Sequence, residues 1–231
     1  AITGSGSLNS GSYAGAIVDN GAFIYSSSAT QTLSGIISGS GTLTKDTDSS
    51  SVLTLSNTNT YSGITTISKG TIAITTDTNL GTAPGSSVAT QLTLSGGNLR
   101  TTGTFSLATN RGITLGSGGG GIDVNSGFTL TYAGAIVGTN TLTKYGTGTF
   151  VLTGSKTGTA YVVVYQGTFT VQADAPVLTG QTFTGAGNLI IQPASADFSP
   201  SFNSSAISLV GVISTSPPLS TDGLDHTGLL G

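Results

Sequence analysis

"GSGTLTKDTDSSSVLTLSNTNTYSGITTISKGTIAI", residues 39–74, decides the fold. Leu53 and Leu55, and again Ile72 and Ile74, stand one residue apart with a small side chain between them. In an extended chain residues i and i+2 share a face, so each pair puts two apolar groups on one side and leaves Thr or Ala on the other. Gly, Asn and Ser clusters interrupt the pattern every several residues, which reads as short strands joined by tight turns.

The same texture runs outward in both directions. Residues 92–134 contain the pairs Leu92/Leu94, Phe105/Leu107, Ile113/Leu115, Ile122/Val124 and Phe128/Leu130. Residues 35–56, "GIISGSGTLTKDTDSSSVLTLS", read against residues 134–155, "GAIVGTNTLTKYGTGTFVLTGS", with Leu43-Thr44-Lys45 matching Leu142-Thr143-Lys144. A further strand and a Gly follow each copy, in "TTISKGTIAI" and "VVVYQGTFTV". A repeat of this kind stacks one coil on the next, like on like, and accepts coils of unequal length. Asn20-Gly21 is the one clean hairpin signal, so an antiparallel sandwich is the poorer account. The expected fold is all-β, a parallel β-solenoid with little or no α-helix. At about 20–25 residues per coil and about 4.8 Å of rise per coil, the chain makes a rod on the order of 45 Å long. Residues 1–205 are expected to form one solenoid domain with degenerate repeats at 35–75 and 134–172. Residues 206–231 are expected to be a terminal strand or tail that contacts a neighbouring subunit.

Composition supports this and narrows the function. The 231 residues include 36 Gly, only 6% charged residues and no Cys, Met or Trp, and mean hydropathy is +0.24. Regular apolar spacing separates the chain from a disordered Gly/Ser/Thr tract. Without cysteine, backbone hydrogen bonds and packing must hold the fold. A net charge of −3 offers no counter-ion field for nucleic acid. No window approaches the roughly 18 apolar residues of a spanning helix, and the opening "AITGSGSLNSGSYAG" lacks a basic region before an apolar run. Neither that opening nor the closing "LDHTGLLG" looks like a natural end, so a processed product or a piece of a longer chain is expected.

The pattern resembles the autotransporter-associated β-strand repeat of large Gram-negative surface proteins. The residues that carry the resemblance are Gly39, Gly41, Leu43, Lys45, Leu53, Leu55, Asn59, Thr60, Tyr61, Gly63, Thr65, Ile67, Gly70 and Ile72. The first copy departs at "DTDSSS", where the family has a Gly-x-Gly turn. The second keeps Lys144, Gly146, Gly148 and Leu152 but has "KTGTAYV" in place of Asn-Thr-Tyr-x-Gly. Residues 185–202, "GAGNLIIQPASADFSPSF", resemble a segment of giant β-strand-repeat surface proteins. The resemblance implies a right-handed parallel β-helix exported to the cell surface, acting as stalk, spacer or adhesin in adhesion or biofilm.

Catalytic chemistry finds little support. The one histidine, His226, lies beside Asp222 and Asp225 in a turn-like tail, with no Gly-x-Ser-x-Gly elbow. All nine acidic residues are Asp, and a glycan-cleaving carboxylate pair would have to come from Asp46/Asp48, next to Lys45, or Asp222/Asp225. No catalytic residue and no organic cofactor is therefore expected. Calcium is the one inorganic partner with a foothold, at Asp46 and Asp48 in an Asp-x-Asp-x-Ser start, and at Asp123 in "GGGGIDVNS", a single copy of a Gly-Gly-x-Gly-x-Asp turn. Lys45 and Lys144 suggest a structural role over corner carbonyls. The seven tyrosines would supply a glycan-stacking surface only if they lay outside; ordinary packing is the simpler expectation. Asn203-Ser204-Ser205 reads as a surface loop. The partners expected are a host or neighbouring-cell surface or glycan, and copies of the chain joined head to tail through solenoid ends, the latter making the alternative of an extracellular filament.

Overall fold

The structure is a computed structural model that describes residues 1–47, 50–158, 161–172, 182–191, 207–209 and 213–215. Every strand pairing in it is parallel, and the helical content of the described residues is two short 3-10 turns, Asn9–Gly11 and Asp77–Leu80. The chain is an all-β solenoid.

Each coil visits its sheets in the same order. The first sheet has seven strands: Ile2–Gly4, Ala22–Ser27, Thr42–Lys45, Thr65–Ile67, Val88–Leu94, Arg111–Leu115 and Ile136–Val137. The second has ten, from Ser12–Tyr13 through Val52–Leu55, Thr71–Ile74, Asn98–Thr101, Gly120–Val124, Leu142–Tyr145 and Tyr161–Val164 to Ile207–Leu209. The third position changes character along the rod. It begins as the strand pair Ile17–Val18 and Ile37–Ser38, passes through irregular chain and the turn Asp77–Leu80, and becomes a six-stranded sheet from Phe105–Leu107 to Ile213–Thr215.

Register explains the core. Leu53 faces Ile72, Ile72 faces Leu99 and Leu99 faces Ile122, so the apolar member of each pair stacks on its counterpart one coil away. All four are fully buried, each contributing about 1.5–3 kcal/mol by leaving water. Phe150 and Phe169 extend the stack with ring centroids 5.3 Å apart, and Phe183 joins at 6.3 Å. Coil length is less regular than the sequence suggests: 19 residues separate Val52 from Thr71, and 27 separate Thr71 from Asn98. The turn and loop between Ile74 and Val88 take up the excess.

The two copies of the repeat differ in placement. Leu43-Thr44-Lys45 lies in the first sheet, whereas Leu142-Thr143-Lys144 lies in the second. The strands that follow are displaced in the same way, Val52–Leu55 to the second sheet and Thr149–Leu152 to the third. Equivalent in local chemistry, the copies are rotated by one face around the axis. The motif therefore encodes one coil rather than one face, and Val52 to Thr71 and Thr149 to Thr168 both close in 19 residues.

Strands Ile207–Leu209 and Ile213–Thr215 pair with Thr182–Gly185 and Asn188–Ile191 of the same chain, continuing its second and third sheets.

Candidate functional site

Three lysines sit inside this rod, and their surroundings differ. Lys45 and Lys144, each at the end of a strand with its stem in the core, are 0% and 1% exposed. Lys45 Nζ donates to the carbonyls of Asp46 (3.3 Å) and Thr47 (2.7 Å), and lies 5.6 Å from the centroid of the Tyr25 ring. Lys144 Nζ donates to the carbonyls of Tyr145, of Gly146 at 2.8 Å and of Gln166, one coil on, at 3.4 Å. Both close a corner whose carbonyls would otherwise face inward unpaired. Burial pulls the Lys144 amine down to about 8, with the Asp123 carboxylate opposing. Two residues past each lysine the backbone turns to positive φ: Gly146 at 70° and Thr47 at 74°. The "DTDSSS" departure thus keeps the turn but places a β-branched residue where glycine is at ease.

The third lysine has no such partners among the described residues. Lys156 occupies the place that Asn59 holds in the first copy, the two being bridged to Ile136 and bonded to Ile37 respectively. Asn59 Oδ1 accepts from the Ile37 N–H at 2.8 Å and its Nδ2 donates to the Asn79 carbonyl at 2.6 Å, part of a ladder in which Asn79 Nδ2 also reaches the Asn57 carbonyl at 2.8 Å. Lys156 is 3% exposed, and among the described residues its Nζ has no hydrogen-bond partner. Burial lowers its pKa from the usual value.

A fourth buried cation holds the excursion between coils. Arg111 Nε and Nη2 meet Asp77 Oδ1 and Oδ2 at 3.0 and 3.2 Å, while Nη1 and Nη2 donate to the carbonyls of Leu80 (2.8 Å) and Gly81 (2.9 Å). Asp77 Oδ1 also accepts from the Ala108 N–H at 3.0 Å. The charge is fully paired, and the turn Asp77–Leu80 is pinned to the coil above it. Nothing local in the sequence announces a pair whose members stand 34 residues apart.

Outside, the second sheet carries a ladder of larger side chains. Arg100, Asp123 and Tyr145 are in register on successive strands. Arg100 Nε donates to Asp123 Oδ2 at 2.7 Å. The Tyr145 ring lies over Gly121, where a Cβ would strike both that ring, at 2.9 Å, and the Asn98 amide. Tyr165 packs against Tyr145 with centroids 5.6 Å apart and planes at 56°. Tyr161 and Tyr165 are each 57% exposed. By contrast Tyr25, Tyr61 and Tyr132 are buried, and each hydroxyl is satisfied: Tyr25 on the Ala29 carbonyl, Tyr61 with Thr65, Tyr132 on the carbonyls of Arg111 and Ala135. The tyrosines thus divide into packing residues and a surface group, a division that spacing alone does not show.

The residues singled out for calcium lie at two separate places. Asp46 Oδ1 accepts from the Thr47 N–H at 2.8 Å, at a corner three coils from Asp123, which is engaged by Arg100. Asp48 lies outside the described residues, as do His226, Asp222, Asp225 and Asn203. Among the described residues no three His, Cys, Asp or Glu side chains cluster, and no helix is long and apolar enough to cross a membrane.

Residues 49–74 and 142–173 match the passenger-associated-transport-repeat family. Both stretches are similar to passenger repeats. Each matched stretch spans the strands that complete one coil, Val52 to Thr71 and Thr149 to Thr168, which agrees with the motif encoding a coil. The adhesin BmaC autotransporter of Brucella suis biovar 1 (strain 1330) is 42% identical over 115 residues. That stretch is 48% of this chain and 3% of the Brucella protein. No solved structure matches.

Proposed function

We propose that this chain is a stretch of the exported passenger of a large cell-surface adhesin, a non-enzymatic rod that presents recognition surfaces away from the cell. The observation that carries the reading is the pair of passenger repeats, each closing one coil of a continuously filled solenoid. The similarity to a Brucella adhesin supports it from a second direction. A core of stacked Leu, Ile, Val and Phe is suited to stiffness, and an outer surface rich in Thr and Ser is suited to water. Its working place on this reading is extracellular, and its partners are host or neighbouring-cell surfaces.

The test uses the producing bacterium and the whole protein. An antibody raised against residues 1–172 should label intact cells, and protease shaving should remove the label. In-frame removal of the segment, or Leu53→Asp, should reduce attachment to host cells. Labelling only after lysis removes the surface assignment, and undiminished attachment removes the adhesive role. Electron microscopy of the purified chain separates the filament alternative: monodisperse short rods fit a passenger segment, and long fibres with an axial repeat of one rod length would make it a polymerising subunit.

A further inference from the structure

Tyr161 and Tyr165 are the exposed aromatic residues among the large apolar side chains of the described surface; the others, Val18, Ile36 and Ile64, lie elsewhere on the rod. Tyr161 opens the strand Tyr161–Val164 and Tyr165 follows its last residue, four positions on, which in extended chain sets their Cα atoms about 13 Å apart. The platform beneath Tyr165 is held from below and from the side. Lys144 ties the backbone of Tyr145 to that of Gln166, and the Tyr165 N–H donates to the Lys144 carbonyl at 2.9 Å. The Tyr145 ring then braces Tyr165. Nearby charge cancels, because Arg100 and Asp123 are paired and the Lys144 amine is inside. What remains outside is the Tyr165 ring braced by Tyr145 and the Tyr161 ring beside it on the same surface strand, with no unpaired charge on this sheet face among the described residues.

We propose that Tyr161 and Tyr165 form a binding site for a neutral oligosaccharide, whose pyranose C–H faces stack on the two rings while its hydroxyls meet the phenol oxygens. Rings held apart along a strand fit a ligand with apolar faces repeated along its length, and cancelled charge disfavours an acidic sugar. A second copy of the chain suits the patch less well, since two separated rings fall short of the roughly 1,000 Å² that a specific protein interface needs. The site deepens the adhesive reading and rests on it.

The chain contains no Trp and seven Tyr, so binding is followed by the change in tyrosine fluorescence and assigned to the site by the alanine variants. The purified chain is titrated with maltohexaose, cellohexaose, chitohexaose and mannohexaose, and with hexagalacturonate as an acidic control. At least one neutral hexasaccharide should bind saturably, and Tyr161→Ala and Tyr165→Ala should each weaken it about tenfold or more without lowering the melting temperature. Tyr165→Phe should stay within about threefold of wild type, because the ring face is kept. The proposal is overturned if no neutral sugar binds at millimolar concentration, if the alanine variants bind as wild type does, or if the acidic sugar binds best. It is equally overturned if the alanine variants abolish a dimer seen by sedimentation, which would assign the patch to self-association. Attachment of whole cells keeps the two readings apart. Equal attachment by wild-type and Tyr165→Ala cells removes the sugar site alone, whereas wild-type cells that do not attach remove the adhesive reading and leave the titration to judge the site.

Discussion

Replacing each of the three buried lysines by methionine should shift stability in opposite directions. Methionine keeps the unbranched stem and most of the volume while removing the amine. At Lys144 the amine holds three carbonyls at a corner. Removing the amine leaves those carbonyls buried without their donor, which costs about 1–3 kcal/mol, so Lys144→Met should lose about 2 kcal/mol. Lys45→Met should lose a similar amount, since its amine also closes a corner. Among the described residues the Lys156 amine makes no hydrogen bond. Removing a buried donor that lacks a partner should gain about 1–3 kcal/mol. For a chain of this size about 1 kcal/mol moves the melting temperature by about 2–4 °C, so Lys156→Met should melt several degrees higher and the other two several degrees lower. Circular dichroism melts, with urea midpoints as a check, measure this. Three shifts of one sign would refute the reasoning, because methionine packing rather than amine pairing would then control the result.

Other substitutions follow from single contacts. Thr47→Gly should stabilise the first copy by up to about 1 kcal/mol by relieving a β-branched residue at positive φ, whereas Gly146→Ala should destabilise, because its Cβ would meet the Val124 carbonyl; paired melts compare them. Asp77→Ala leaves the Arg111 guanidinium buried without its carboxylate and should cost about 3–5 kcal/mol, with hydrogen exchange showing the turn Asp77–Leu80 loosened first. Stability should rise with pH from about 8, because Lys144 sheds its proton in the folded state at about 8 and in the unfolded state near 10.5, and Lys156 acts in the same sense. Above pH 10 it should fall again, because burial holds the Tyr61 hydroxyl protonated up to about 12 while the unfolded chain ionises at 10.0; a series of urea midpoints should therefore peak near pH 10. Calcium should leave the melting temperature unchanged, because one Asp123 oxygen is already taken by Arg100; a rise reversed by chelator would reinstate the metal.

The solenoid was legible because its determinants are local. Pairs such as Leu53/Leu55 and Ile122/Val124 declare strand and inward face within three residues, and both pairs are buried as the alternation requires. The corner role of Lys45 and Lys144 was equally visible, since the recurrence of Leu-Thr-Lys before a turn is a property of sequence. What escaped was everything that depends on which coil lies above which. Arg100 meets Asp123 across 23 residues and Arg111 meets Asp77 across 34. With one coil closing in 19 residues and the next in 27, those encounters are set by the irregular loops, whose length the apolar pattern does not fix. The rotation of the second repeat was hidden for the same reason. Lys156 was hidden differently: a charged residue in a degenerate stretch reads as surface, and only its bridge to Ile136 turns it inward.

That rotation bears on how a long protein of this kind meets its surroundings. The corner after the third strand of the motif carries Ser68 and Lys69 in one copy and Tyr165 and Gln166 in the other, and it joins the first and second sheets in one case, the second and third in the other. Residues at one address in the motif therefore look out along different compass bearings. A stalk grown by copying such a unit distributes its contact groups around its circumference, and so can touch a neighbouring surface whichever side it happens to lie on.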